Sequence, residues 1–382
     1  MRAANARLAR RGARGRGFSL VELLIAMVLG LALIGGTTTI FRGNVRSAEL
    51  GQAIATMQAN ARFALDEMAG SVRVAGSRGC ASGERPMTVS ATDVPVSDVD
   101  PGASALTGLR ITGDDGWVPA LMSGYTPPEG RAAPVAGTDA LLVQYAVAPG
   151  EPLAGSMNSP GALLTIPGTM HGLEPGDLAI VTDCAEADLF RIDTRTGSAG
   201  SVALKPDRTL SRSYVGSDEA ASPRRVFVLP FASAIYYVGD SGRRTRAGDA
   251  IRSLFLQEFP FDPEDNPPIE LIDGVDQLRL TFGLRADDGD VRFAASDDAA
   301  FEPARVTSVR IGLLMSSAER LEPGTAPRAF ALAGFTAWPE GGATPAGDVA
   351  FYPDDRRLRV PFERSVTVRN RALGARNPRA LP

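Results

Sequence analysis

An apolar segment close to the amino terminus limits what this chain can become. Nineteen residues without a charge run from Leu23 to Phe41, about the length that an α-helix needs to cross ~30 Å of hydrocarbon. Residues 1–17 contain six arginines and no acidic residue. Because arginine-rich flanks stay on the cytoplasmic side of a membrane, we expect residues 1–17 in the cytoplasm and the chain after Phe41 to be exported.

A single carboxylate, Glu22, directly precedes this uncharged run. A carboxylate inside a membrane span costs a few kcal/mol and usually marks a function or a partner. Near the cytoplasmic end, its side chain could also simply extend toward the interface. A cleaved Sec signal peptide is disfavoured, since Gly35-Gly36 is a poor cleavage site and the apolar run is long for a signal core. An uncleaved single-span anchor remains open at this point.

The residues around Glu22 read RGFSLVELLIAM, and this segment resembles the class III signal of type IV pilins and pseudopilins. The resemblance implies that a prepilin peptidase cuts between Gly17 and Phe18 and that the new amino group of Phe18 is methylated. It also implies that Glu22 is a docking group, neutralised by the amino terminus of a neighbouring subunit. The physical reason is that an unpaired carboxylate is costly in apolar surroundings.

The absence of proline predicts a long helix after the apolar run. The chain has 28 prolines, but none precedes Pro86, and a proline inside a helix costs ~3 kcal/mol. Apolar residues then recur at steps of three or four, the pattern of an amphipathic helix: Leu50, Ile54, Met57, Ala61, Leu65 and Met68. The sequence therefore predicts one helix from about Ser19 to Val74, whose second half is the spine of a globular head.

Short apolar or alternating runs separated by Gly, Pro, Asp and Ser follow Cys80 and predict a β-rich head. No repeated helical pattern lies between them, so an antiparallel arrangement of one sheet or two is favoured over a parallel α/β fold. The predicted strands are Leu141–Val147, Leu178–Thr182, Leu189–Asp193, Val202–Leu204, Val226–Leu229, Ala234–Val238, Gln277–Phe282 and Val306–Met315. The predicted fold class is α+β, with the long amino-terminal helix packed on the head.

The patterns and the resemblance to pilins together imply four segments. By that resemblance, residues 1–17 would form a basic leader that the peptidase removes, and residues 18–41 a helix for the membrane and later for a filament core. Residues 42–76 form the amphipathic spine, and residues 77–382 form the head with a loose carboxyl-terminal tail.

Several later segments resemble the PilW type of minor pilins, in the same order along the chain. The first leads through NARFAL to a G-x-x-G-C end at Cys80. The segments are Met57–Cys80, Gly137–Ala146, Gly176–Ile192, Ile269–Arg285, Val306–Ser317 and Val366–Arg371. Residues 86–134 and the tail after Arg371 match no family that we can name.

Cys80 and Cys184 are the chain's two cysteines. In an exported chain they suggest one disulfide, whereas in the cytosol they would be buried thiols. A bridge closing a loop of about 100 residues would stabilise the fold by roughly 4–5 kcal/mol in the chain-entropy model. One histidine, His171, does not complete an ordinary Cys/His zinc site. We expect no metal of that kind and no cofactor.

Few residues favour catalysis or other binding sites. The segment VGDSG, Val238–Gly242, resembles a serine protease loop, but a polar turn is the simpler interpretation, and no triad is evident around it or His171. The acidic segment Asp262–Asn266 lacks EF-hand spacing, so a solvated loop is favoured over a calcium site. We therefore predict no catalytic residues and no enzyme activity.

Charge argues against nucleic-acid binding. Removing the six leader arginines from 40 basic residues leaves 34 against 44 acidic residues, a net charge of −10. Residues 354–379 contain eight arginines and three acidic residues. Without interleaved aromatic residues they are interpreted as solvated strand faces and a loose tail.

Taken together, the resemblances imply a structural protein of the type IV pilus. It would help to start pilus assembly in a priming or tip complex, and the role of the pilus stays open among twitching motility, adhesion and DNA uptake. Its expected partners are the prepilin peptidase and methyltransferase, other minor pilins, the major pilin, the inner-membrane assembly platform and a tip adhesin. The head would lie in the periplasm before assembly and in the pilus afterwards. Two alternatives remain open: a minor pseudopilin of a type II secretion system, similar to GspJ, and a membrane-tethered adhesin or binding protein.

Overall fold

The computed structural model describes most of the chain after residue 17. The described residues are 18–80, 87–91, 105–113, 117–118, 127–167, 173–198, 200–216, 225–259, 266–320, 328–341 and 349–369. The chain divides into two compact units, Met1–Gln52 and Ala53–Pro382.

One long α-helix, α1, runs from Leu20 to Val74. Its bounds agree with the predicted helix to within one residue. It begins where the backbone N–H of Leu23 donates to the carbonyl of Ser19. It ends just before Gly76, whose φ of 71° lies in the left-handed region that terminates helices.

The rest of the described chain is mainly β-structure. The first twelve strands form one sheet. They are β1 (Met87–Val89), β2 (Leu106–Ile111), β3 (Trp117–Val118), β4 (Asp139–Ala146), β5 (Glu151–Pro152), β6 (Leu164–Pro167), β7 (Leu178–Thr182), β8 (Ala187–Ser198), β9 (Ser201–Pro206), β10 (Phe227–Arg244), β11 (Ala250–Glu258) and β12 (Ile269–Asp273).

The remaining strands form two smaller sheets, and one short 3-10 helix, Pro303–Arg305, precedes β15. These strands are β13 (Val275–Arg285), β14 (Val291–Ala294), β15 (Val306–Ser316), β16 (Phe330–Leu332), β17 (Phe335–Pro339), β18 (Val349–Tyr352) and β19 (Arg359–Thr367). The second sheet has the order β14-β13-β15-β19, and the third has the order β16-β17-β18.

Strand pairing in the described residues is antiparallel except for β1 with β8 and β17 with β18. The predicted antiparallel head and α+β class are confirmed. The number of sheets is larger than the one or two predicted. The third sheet was missed because its strands have three to five residues and lie between loop-like segments.

The head is built around the second half of α1. Met57, Ala61, Leu65 and Met68 of the predicted stripe are buried, and Ile54 is half-buried. They share one apolar cluster with side chains of β4, β10, β13 and β15, including Leu141, Tyr236, Leu280 and Ile311. At about 25 cal/mol per Å² of apolar area, this burial is the main force that holds the helix to the sheets.

Strand β10 corrects two predictions. Val226–Leu229 and Ala234–Val238 were predicted as separate strands, but one strand runs through both. The prediction of a polar turn at Val238–Gly242 is also wrong, because this segment continues β10 beside a bulge. Pro230 lies between the two apolar runs and favours a break. The strand tolerates it because Pro230 marks the change of partner, from β7 before it to β4 after it.

Candidate assembly surfaces

The first part of α1 exposes its apolar side chains on all sides. Phe18 is 81% exposed, Leu20 is 73% exposed and Phe41 is 69% exposed. The large apolar side chains between them are also more than half exposed. Within the described chain, α1 is the one helix long and apolar enough to cross a membrane. Such a surface is stable only when lipid or another protein covers it.

Glu22 lies in the first turn of α1. A carboxylate there interacts favourably with the positive end of the helix dipole. Its side chain is exposed, and no ion pair in the described residues involves it. Phe18 lies four residues before it, whereas Gly17 and the rest of the leader fall outside the described residues.

Polar contacts fix the second part of α1 to the head. The amide of Asn60 donates to Asp273 at the end of β12, with Nδ2 and Oδ1 separated by 3.3 Å. The hydroxyls of Ser71 and Tyr236 share a hydrogen bond of 2.8 Å in the core. These contacts fix how this part of α1 is oriented on the sheet, since each one links a particular helix residue to a particular strand residue.

An ion pair on the surface also joins α1 to the second sheet. Arg364 of β19 donates to the carboxylate of Asp66. The hydrogen bond from Arg364 holds the pKa of Asp66 below its ordinary value. Because Asp66 is exposed, this ion pair adds little stability. It does show which turn of α1 lies next to β19.

A disulfide joins Cys80, just after α1, to Cys184 in the turn between β7 and β8. Their Cα atoms are 4.7 Å apart and both residues are exposed. The turn itself is held by Asp183, whose carboxylate accepts backbone N–H bonds from Ala185 and Glu186. The bridge therefore links the end of the helix to a rigid turn.

A buried group of charges joins β13 to the chain before β19. The carboxylate of Asp276 accepts hydrogen bonds from Arg357 at 3.1 Å and Arg359 at 2.7 Å. Asp355 accepts from the same two arginines. Burial by itself would raise the pKa of Asp276, but Arg359 and Arg357 outweigh it and lower that pKa.

These contacts correct one expectation for the carboxyl-terminal arginines. They were interpreted as solvated, yet Arg357 and Arg359 are buried, and Arg364 contacts Asp66. Sequence reasoning missed this because their acidic partners lie far away in the chain. The tail after residue 369 falls outside the described residues.

The catalytic candidates do not assemble in the described residues. The Ser241 hydroxyl donates to the carbonyl of Ile251 at 2.6 Å, and Asp240 accepts the backbone N–H of Gly242. Both side chains thus stabilise the bulge in β10. His171 falls outside the described residues.

The calcium candidate Asp262–Asn266 is described only at Asn266, whose amide donates to the carbonyl of Glu258 at 2.8 Å. No group of three or more metal-ligating side chains occurs in the described part of the chain.

A second surface that sequence reasoning missed lies along β12. Arg131 and Arg243 both contact the carboxylate of Glu270 on this strand. Three separate segments contribute these side chains, so no local motif signals the arrangement.

Comparison with known families gives two matches. The family model described as Type IV Pilus-assembly protein W matches residues 235–370, from within β10 to the end of β19. The model described as prokaryotic N-terminal methylation motif matches residues 13–38, which contain Gly17, Phe18 and Glu22. Neither a curated protein nor a solved structure matches the chain.

Proposed function

We propose that this chain, which belongs to the PilW type of pilus-assembly proteins, is a minor pilin that joins other minor pilins to start a type IV pilus. The observation that carries the proposal is the exposed apolar surface of residues 20–41, which lies within and just beyond the methylation motif. Such a surface needs lipid before assembly and neighbouring helices after it. The protein therefore acts through interfaces between subunits.

Processing prepares this surface for assembly. Prepilin peptidase cuts between Gly17 and Phe18 on the cytoplasmic side, and the new amino group of Phe18 is methylated. The helix stays attached to the head, so residues 18–41 anchor the protein in the inner membrane with its head in the periplasm. When the subunit leaves the bilayer, the same helix enters the filament core.

Glu22 then sets the position of the helix relative to its neighbour. Away from water, a carboxylate without a partner costs several kcal/mol. The positively charged amino terminus of an adjacent subunit removes this cost, but only at one stagger between the helices. Glu22 is exposed and makes no described ion pair, so its side chain is available for such a contact.

The first test is the intact mass of the protein purified from its own host, with and without prepilin peptidase. We expect a chain that begins at N-methylated Phe18 only when the peptidase is present. A chain that keeps its arginine leader, or one cut after Gly36, would remove the basis of the proposal.

The second test is the exchange Glu22→Ala, with Glu49→Ala as a matched control. Both residues are exposed carboxylates on α1, but Glu22 directly precedes the uncharged run, whereas Glu49 lies in the part of the helix beyond it. We expect Glu22→Ala to insert into the membrane normally and to lower the number of pili by about tenfold, the effect of losing one strong charge contact. Glu49→Ala should assemble as the unchanged protein does. Normal piliation with Glu22→Ala would rule out the docking role.

Deletion of the gene distinguishes a role in a type IV pilus from a role in a type II secretion system. We expect loss of pili with secretion intact. Loss of secreted enzymes with pili intact would instead assign the protein to a type II secretion system.

A further inference from the structure

Strand β12 is an edge strand with a free side. It pairs with β11, and no other pairing or backbone hydrogen bond of Ile269–Asp273 occurs in the described residues. Its free N–H and C=O groups form a row that another extended chain can join. Pro267 and Pro268 precede the strand and limit the row to five residues.

A cleft of about 580 Å³ has β12 in its wall. We call it the β12 edge cleft; it is lined by Asn60, Arg131, Arg243 and Pro268–Asp273. Ile269 at its start is 55% exposed, although most edge strands of natural proteins carry charged or shielded side chains at such places. The cleft therefore combines free backbone groups with exposed apolar surface.

The arginine Arg131 is held in place by the fold. Its segment runs beside β10, where the N–H of Ala132 donates to the carbonyl of Asp240 and the N–H of Val135 donates to that of Val238. Gly239 permits this approach, because a Cβ there would lie 2.9 Å from the carbonyl oxygen of Ala132. Arg131 is thus presented by a rigid segment.

The two arginines retain unused hydrogen-bond donors. Arg131 and Arg243 both contact Glu270, and Arg243 also lies 3.7 Å from Asp273. Their side chains are nevertheless 67% and 51% exposed. Each guanidinium has five N–H donors, and a carboxylate is the acceptor that fits this fork best.

We propose that the β12 edge cleft receives an extended strand from the head of a neighbouring pilin subunit, an inference that rests on the proposed function. The strand joins β12 through main-chain hydrogen bonds, as in other cases of strand addition. One of its apolar side chains covers Ile269, and one carboxylate reaches Arg131 and Arg243. A helix has no free backbone groups to offer along its length, and the cleft is too open to surround a small molecule.

Strand β14 provides the matched control. It too is an edge strand of its sheet, and its Val291 is 50% exposed. It differs from β12 because Arg131 and Arg243, which contact Glu270 of β12, form no ion pair with β14 in the part of the chain that the structure describes. A lysine at either edge is tolerated by the fold but blocks strand addition.

The test uses the tagged full-length chain, made with its host's other minor pilins and purified in detergent. We expect Ile269→Lys to lower the recovery of those minor pilins by about tenfold, the loss of one central contact. Val291→Lys should recover them as the unchanged protein does, and the milder exchange Ile269→Thr should give an intermediate recovery. Equal Tm values show that the variants are folded.

Hydrogen exchange supplies a readout of the backbone itself. We expect the amides of Ile269–Asp273 to exchange more slowly in the purified complex than in the isolated chain, with those of Val291–Ala294 unchanged. Unaltered recovery by Ile269→Lys, equal losses by both lysine variants, or unprotected β12 amides would each overturn the inference. If the unchanged protein recovers no minor pilin, the proposed function is wrong, and the inference that rests on it is wrong as well.

Discussion

Residues 20–52 and 53–74 belong to the same helix, yet their apolar side chains lie in opposite surroundings. In the first part, Leu24, Met27 and Leu31 are all more than half exposed. In the second part, Met57, Leu65 and Met68 are buried against the head, although Phe63 is 53% exposed. The difference shows that one helix can present two kinds of surface: the second part is covered by its own chain, whereas the first part leaves its apolar side chains exposed.

The largest expected effect concerns the disulfide that follows the carboxyl-terminal end of α1. Exchange of both cysteines in Cys80→Ser, Cys184→Ser opens a loop with a sequence separation of 104 residues. We expect the free energy of unfolding of the head to fall by about 4 kcal/mol, because the unfolded chain gains entropy. Urea unfolding followed by tryptophan fluorescence measures it. Equal stability of the oxidised and exchanged proteins would contradict the prediction.

Two methionines allow a direct comparison of the two parts of the helix. Met68 is fully buried, whereas Met27 is 57% exposed. We expect Met68→Ala to lower the stability of the head by about 3 kcal/mol, since it removes packing and leaves a cavity. Met27→Ala should change it by less than about 0.5 kcal/mol. Comparable losses in urea unfolding would mean that the first part also contributes to the stability of the head.

The smallest effect appears as a dependence on pH. The pKa of Asp276 in the folded head is lower than that of an unfolded aspartate, about 3.9. Its contribution to stability is therefore complete above about pH 4 and is lost as the pH falls through the folded pKa. We expect urea unfolding of the head to become easier as the pH falls below about 4, while the helix of residues 20–52 stays formed in detergent by circular dichroism.

The helix could be predicted from the sequence because its signals are local. The lack of proline before Pro86 and the spacing of Ile54, Met57 and Ala61 depend only on neighbours along the chain. The docking role of Glu22 came from a resemblance over a short motif and remains a prediction. Local signals thus cover the helix but only part of the strands, since the third sheet was missed and β10 was predicted as two strands.

The β12 edge cleft could not be predicted in this way. Arg131, Arg243 and Glu270 come from three segments, and only the folded sheet brings them together. The burial of Arg357 and Arg359 was missed for the same reason, because Asp276 lies about 80 residues earlier in the chain. Contacts of this kind depend on the pairing of distant strands, which hydrophobic periodicity does not specify.

The continuity of strand β10 has a mechanical consequence for the head. Its first residues, Phe227–Pro230, pair with β7, and its later residues, Phe231–Tyr237, pair with β4. A load applied to either part of the large sheet therefore reaches the other through one continuous backbone. To separate the two parts at β10, a force must break the hydrogen bonds of this strand either to β7 or to β4.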